Sequence, residues 1–89
     1  MLFLVVYMSK LNDFRKKIDA IDRNMVKSLS LRFSLAKQIA SYKKENNIRI
    51  TDKKRELQVM KNIKKYSKSN QVIIKIFKNI ITYSKKLQK

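Results

Sequence analysis

The 89 residues carry 23 Lys+Arg against 6 Asp+Glu, a formal charge of +17, and no His, Cys, Gly or Pro. The absence of Cys excludes disulfides and thiolate sites, and the absence of Gly excludes Gly-rich phosphate-cradling loops. Without His, the commonest general base and metal ligand, zinc enzymes, Ser-His-Asp hydrolases and His-based acid–base enzymes are disfavoured. A chain of this length makes one domain at most and is marginal as a monomer. With 44% hydrophobic residues and neither Gly nor Pro, it reads as all-helical with short connections.

The positive charge suits an anionic partner, whether nucleic acid, an acidic membrane surface or a small polyanion. The plainer reading is a compositional bias, since Lys, Ile and Asn are abundant together. Arginine is more informative. There are only five, Arg15, Arg23, Arg32, Arg49 and Arg55, and in a Lys-rich chain each suggests a need for a planar fork that grips carboxylate or phosphate.

In chain order, Leu2–Tyr7 is an apolar run too short to span a bilayer, without the features of a signal peptide. Residues 1–8 are expected to be a loosely attached extension, read either as the product of a start upstream of Met8 or as a short strand or arm over an apolar patch, and residues 9–89 the helical domain. A very long helix should run from Ser9, as N-cap, to about Lys44. Its apolar positions Leu11, Phe14, Ile18, Ile21, Met25, Leu29, Leu35 and Ile39 recur mostly every three or four residues. About 35 helical residues would reach roughly 50 Å. Asn46 and Asn47 should end it, since Asn tolerates the left-handed conformation.

A short extended segment, Ile48–Ile50, follows. Thr51 or Asp52 can cap a short second helix whose apolar positions are Leu57, Met60 and Ile63, with Val59 beside them. Ser69 or Asn70 can cap a medium third helix with Ile73, Ile76, Phe77, Ile80, Ile81 and Leu87 inward. Two short helices cannot cover a helix of roughly 50 Å. An intertwined homodimer of three-helix chains is therefore expected; a long two-stranded coiled coil competes, but the stripe is wider than a strict a/d seam.

Several polar residues stand out by spacing. Arg32 and Lys43, 11 residues apart, share a helix face about 16 Å apart along the axis. Arg15 lies roughly 25 Å before Arg32 on another face, too far for the same small ligand unless it comes from a second subunit. Asp52, Arg55 and Glu56 fall within about one turn, and Ser84 and Gln88 stand at i,i+4 on the third helix. Each has a plainer reading alone: solvated surface cations, a helix cap, a surface charge cluster, an exposed chain end. Their joint occurrence is the signal.

The order Leu11-x-x-Phe14-Arg15-x-x-Ile18, Ile21-Asp22, Met25-Val26-x-x-Leu29-x-x-Arg32-x-x-Leu35-Ala36-x-x-Ile39-Ala40-x-x-Lys43, then Ile50-Thr51-Asp52-x-x-Arg55-Glu56 and Ile80-Ile81-x-x-Ser84-x-x-x-Gln88 resembles the all-helical class of chorismate mutases. The resemblance covers nearly all of residues 9–89. It implies an intertwined dimer, a stand-alone cytoplasmic isomerase converting chorismate to prephenate in aromatic amino acid biosynthesis, and no cofactor or metal. It also implies neither a membrane nor a specific nucleic acid as partner. By the same resemblance, Arg32 and the other protomer's Arg15 bind the two substrate carboxylates. Lys43 contacts a carboxylate and the ether oxygen, to which Gln88 also donates. Glu56 accepts from the ring hydroxyl, Asp52 assists through its backbone, Ser84 touches a carboxylate and Arg55 supports the network. Lys43, Gln88 and Arg32 are the catalytic set.

Three features depart from the pattern. Ser30 replaces an expected apolar residue, the loop 45–50 lacks Pro, and Gln88 sits on a penultimate position where helices fray. Rival readings are an isochorismate pyruvate-lyase on the same fold, a small basic nucleic-acid-binding helical protein, and an inactive or regulatory member.

Overall fold

The computed structural model describes residues 2–88. Three helices account for most of them: α1, Leu2–Glu45; α2, Lys53–Tyr66; and α3, Gln71–Leu87. Among the described residues there is no strand. The chain divides into two compact units, one up to Arg32 and one from Phe33 onward.

The first unit is helical from Leu2, so Ser9 lies inside α1 and is not its cap. Residues 2–8 of the expected extension are helical and continuous with α1. Leu2–Met8 has no period that would mark a helix, but it also has no Gly or Pro to interrupt one. Leu11, Phe14, Ile18, Ile21 and Met25 are all exposed in this chain, and Leu29 and Arg32 are half-buried.

In the second unit each helix turns one line of residues inward. On α1 the line is Phe33, Ala36, Ala40 and Lys43, in steps of three or four, with both alanines buried. Leu35 and Ile39, expected on the inward stripe, lie beside this line and are exposed. On α2 the line is Glu56, Met60, Ile63 and Ser67, with Val59 alongside. Leu57 points away and is 73% exposed, against expectation. On α3 it is Ile74, Phe77, Ile81, Ser84 and Gln88, with Ile80 beside it. Ile73, Ile76 and Leu87 are exposed and not inward. The α3 sequence is apolar in two adjacent phases, and packing against α2 selects the phase containing Ile74.

The helix ends are set by local side chains. Asp52 caps α2, its carboxylate accepting from the Arg55 N–H at 3.0 Å. Asn70 caps α3, its side-chain oxygen accepting from Val72 and Ile73 N–H at 3.0 and 3.2 Å. Asn47 adopts φ 55°, and the Ile48 N–H donates back to Lys43 O while Asn47 N–H donates to Lys44 O, a left-handed helix stop. The end of α2 repeats the device with Lys68 at φ 51° and Ser69 at φ 60°. Ser69 N–H donates to Lys64 O and Lys68 N–H to Lys65 O.

Lys68 thus occupies a position that favours Gly, because a Cβ crowds the following carbonyl there. Lys68→Gly should raise unfolding stability by about 0.5–1 kcal/mol, the relief of strain outweighing the added freedom of the unfolded chain. Urea unfolding at one protein concentration checks it; a lower midpoint would contradict it.

Candidate active site

Four of the residues singled out by spacing lie on the inward lines of the second unit: Lys43, Glu56, Ser84 and Gln88. Each replaces an apolar side chain where the helical period places the interior. Polar groups on such lines cost free energy unless partnered, so the partners matter.

Lys43 is half-buried, and its Nζ donates to the Ile50 carbonyl at 3.0 Å. This ties the last full turn of α1 to the loop before α2. An ammonium has three protons, so the contact leaves donors for an anion. Ser84 is only 5% exposed; its hydroxyl donates to Ile80 O, one turn back, at 2.8 Å. Gln88 is half-buried and caps the C-terminus of α3, its backbone N–H donating to Lys85 O at 3.1 Å.

On α2, Asp52 spends one carboxylate oxygen on capping, as its position in the sequence suggests. Glu56, one turn on, pairs with Lys85 of α3, with Nζ 2.8 Å from Oε1. Arg55 does not join this pair: its guanidinium donates to Gln58 Oε1 at 3.0 Å along α2. Lys85 is therefore the cation at Glu56, and spacing did not single it out. It is one lysine among many, and only the packing of α3 on α2 distinguishes it. The Ile50 carbonyl was equally invisible, being a backbone group. Arg15 and Arg32 belong to the first unit, exposed and half-buried respectively.

A shallow furrow of about 400 Å³ runs along the outer side of α1, lined by Ser34, Lys37, Gln38, Ser41, Tyr42 and Glu45. All six are exposed and none is a candidate residue, so it is surface relief of a single helix, not the site. Among the described residues, no helix is long and apolar enough to cross a membrane.

An ammonium, a hydroxyl, an amide and a carboxylate on the inward lines are groups that suit a small, multiply charged anion bearing a hydroxyl. Residues 14–89 match the family described as Chorismate mutase type II. The chain is 42% identical over 84 residues to a chorismate mutase of Methanocaldococcus jannaschii, covering 90% of this chain and 85% of that protein. It is 38% identical over 80 residues to a bifunctional chorismate mutase/prephenate dehydratase of Buchnera aphidicola, covering 85% of this chain and 21% of that longer protein. No solved structure matches it. The chain belongs to the type II chorismate mutase family.

The capping role of Asp52 can be tested separately from its charge. Asn caps as well as Asp, so Asp52→Asn should leave stability within a few tenths of a kcal/mol, while Asp52→Ala should lose about 1 kcal/mol. Thermal or urea unfolding of both variants checks this. Equal loss in the two would mean that charge, not the cap, is what α2 needs there.

Proposed function

We propose that this protein is a chorismate mutase, rearranging chorismate to prephenate in a site that two copies of the chain build together. The observation that carries the reading is the placement of Lys43, Glu56, Ser84 and Gln88 on the inward lines of three helices, within the span of the family match.

The reaction is unimolecular and pericyclic. The ether C–O bond breaks as a C–C bond forms, and electrons move around a six-membered ring with no proton transfer. A chain without His or Cys lacks nothing that this reaction requires. The enzyme's tasks are to hold the substrate dianion folded, with the reacting carbons close, and to stabilise charge building on the ether oxygen. Arg32 grips one carboxylate and the other protomer's Arg15 the second, each through a bidentate fork. Lys43 keeps its bond to Ile50 O and turns its remaining protons to a carboxylate and the ether oxygen. The Gln88 amide donates to the same oxygen. Glu56 accepts from the ring hydroxyl, with Asp52 beside it. Ser84 reaches a carboxylate by turning its hydroxyl from Ile80 O, a staggered rotation.

The homodimer follows from what one chain leaves uncovered. Leu11, Phe14, Ile18, Ile21 and Met25 are exposed on one stripe of α1, and among the described residues the buried hydrophobic core is Ala36, Ala40, Ile63 and Ile74. So small a core gives little stability alone. A second copy that covers the stripe of α1 also brings its Arg15 to the middle of the partner helix.

Purified protein should form prephenate from chorismate, and release of pyruvate from isochorismate without any prephenate would assign the lyase reaction instead. Lys43→Ala should lower kcat by about 10²–10³-fold while leaving solution mass unchanged. Arg15→Ala and Lys43→Ala chains, each inactive alone, should recover about a quarter of wild-type activity when mixed equally. Half of the dimers are then mixed, and each holds one intact site. Activity that stays at the level of the separate variants after subunit exchange, with mixed dimers present, would refute the shared site.

A further inference from the structure

The geometry points to Lys85 as the positioning residue that makes Glu56 competent to receive the substrate's ring hydroxyl. This inference rests on the reading of Glu56 given under Proposed function, and goes beyond it by naming what aims that carboxylate. The ion pair joins α3 to α2 at 2.8 Å through Oε1, and a carboxylate carries a second acceptor oxygen. One carboxylate oxygen is fixed and the other is left as an acceptor. The backbone carbonyl of Lys85 meanwhile holds the Gln88 N–H at 3.1 Å. One residue thus ties together the α2 group that reads the hydroxyl and the α3 group that donates to the ether oxygen.

Electrostatics give the pair a second use. Asp52, the N-cap of α2, and Glu56 stand at i,i+4, where like charges repel. An incoming dianion meets this carboxylate pair, and binding it there is unfavourable unless a cation offsets the repulsion. Lys85 supplies that cation. Arg55, the alternative neighbour, directs its guanidinium to Gln58. The pair is too solvent-accessible to matter much for folding, with side-chain exposures of 50% for Lys85 and 33% for Glu56. Its contribution should therefore appear in turnover and not in stability.

A double-mutant cycle on the full-length protein tests this. Glu56→Gln is made first: a fall in kcat/KM establishes that the carboxylate is used, and no change defeats the reading of Glu56 itself, independently of Lys85. Lys85→Met should then lower kcat/KM about threefold to fivefold, with the melting temperature and solution mass unchanged. Lys85→Arg should restore most of the loss. On the Glu56→Gln background, Lys85→Met should have almost no further effect. An equal loss on both backgrounds, or none on either, overturns the proposal. A rise in KM alone that is independent of Glu56 also overturns it, because Lys85 would then be touching the dianion directly.

Discussion

A helix has one inward line, and whatever occupies it is lost to the core. In the second unit of this chain α1 places Ala36 and Ala40 there and then Lys43, α2 places Glu56 before Met60 and Ile63, and α3 places Ile74, Phe77 and Ile81 before Ser84 and Gln88. Apolar side chains fill part of each line, and polar side chains stand at an end of it. Apolar groups and the proposed ligand-facing groups are therefore drawn from the same limited set of positions. A small protein that spends these positions on polar groups keeps a small core.

The proposed dimer and the proposed site follow from this one constraint. The exposed stripe of the first unit is apolar and continuous, so its natural cover is another helix of the same kind. Substrate recognition then needs few additions. Lys43 is steadied by a loop carbonyl, Ser84 by its own helix, and Glu56 by a lysine from the neighbouring helix. These partners satisfy groups that would otherwise be costly to place inward. They also hold the side chains in a limited set of directions before any ligand arrives, which is the preorganisation a pericyclic reaction rewards.

Elements governed by local chemistry were legible in the sequence. Asp52 and Asn70 cap because a short oxygen-bearing side chain reaches the next backbone N–H groups, and Asn47 stops α1 because it tolerates positive φ. What depended on packing was less so. The α3 run offers apolar residues in two phases, and the period alone favoured Ile73 and Ile76 over Ile74. Ser84 and Gln88 lie on the line that starts at Ile74, polar residues on an otherwise apolar face. Leu57 failed for the same reason: an apolar residue near a helix start carries no label of direction. The helical state of Leu2–Met8 was missed because an unbroken apolar run has no period to read. Candidate groups with unusual chemistry, the arginines and the isolated carboxylates, were visible. Lys85 and the Ile50 carbonyl were not, since one is hidden among many lysines and the other is common to every residue.

The bond from Lys43 to the carbonyl of Ile50 has a consequence for how such a chain can vary. A side chain that recognises a backbone atom is indifferent to the identity of the residue supplying it. Substitutions across the connection between α1 and α2 can accumulate without disturbing the ammonium. An insertion or deletion of one residue there cannot, because it moves that carbonyl off its mark. Away from Asn47 and Asp52, whose side chains set the helix ends, the segment is thus permissive in spelling and strict in length.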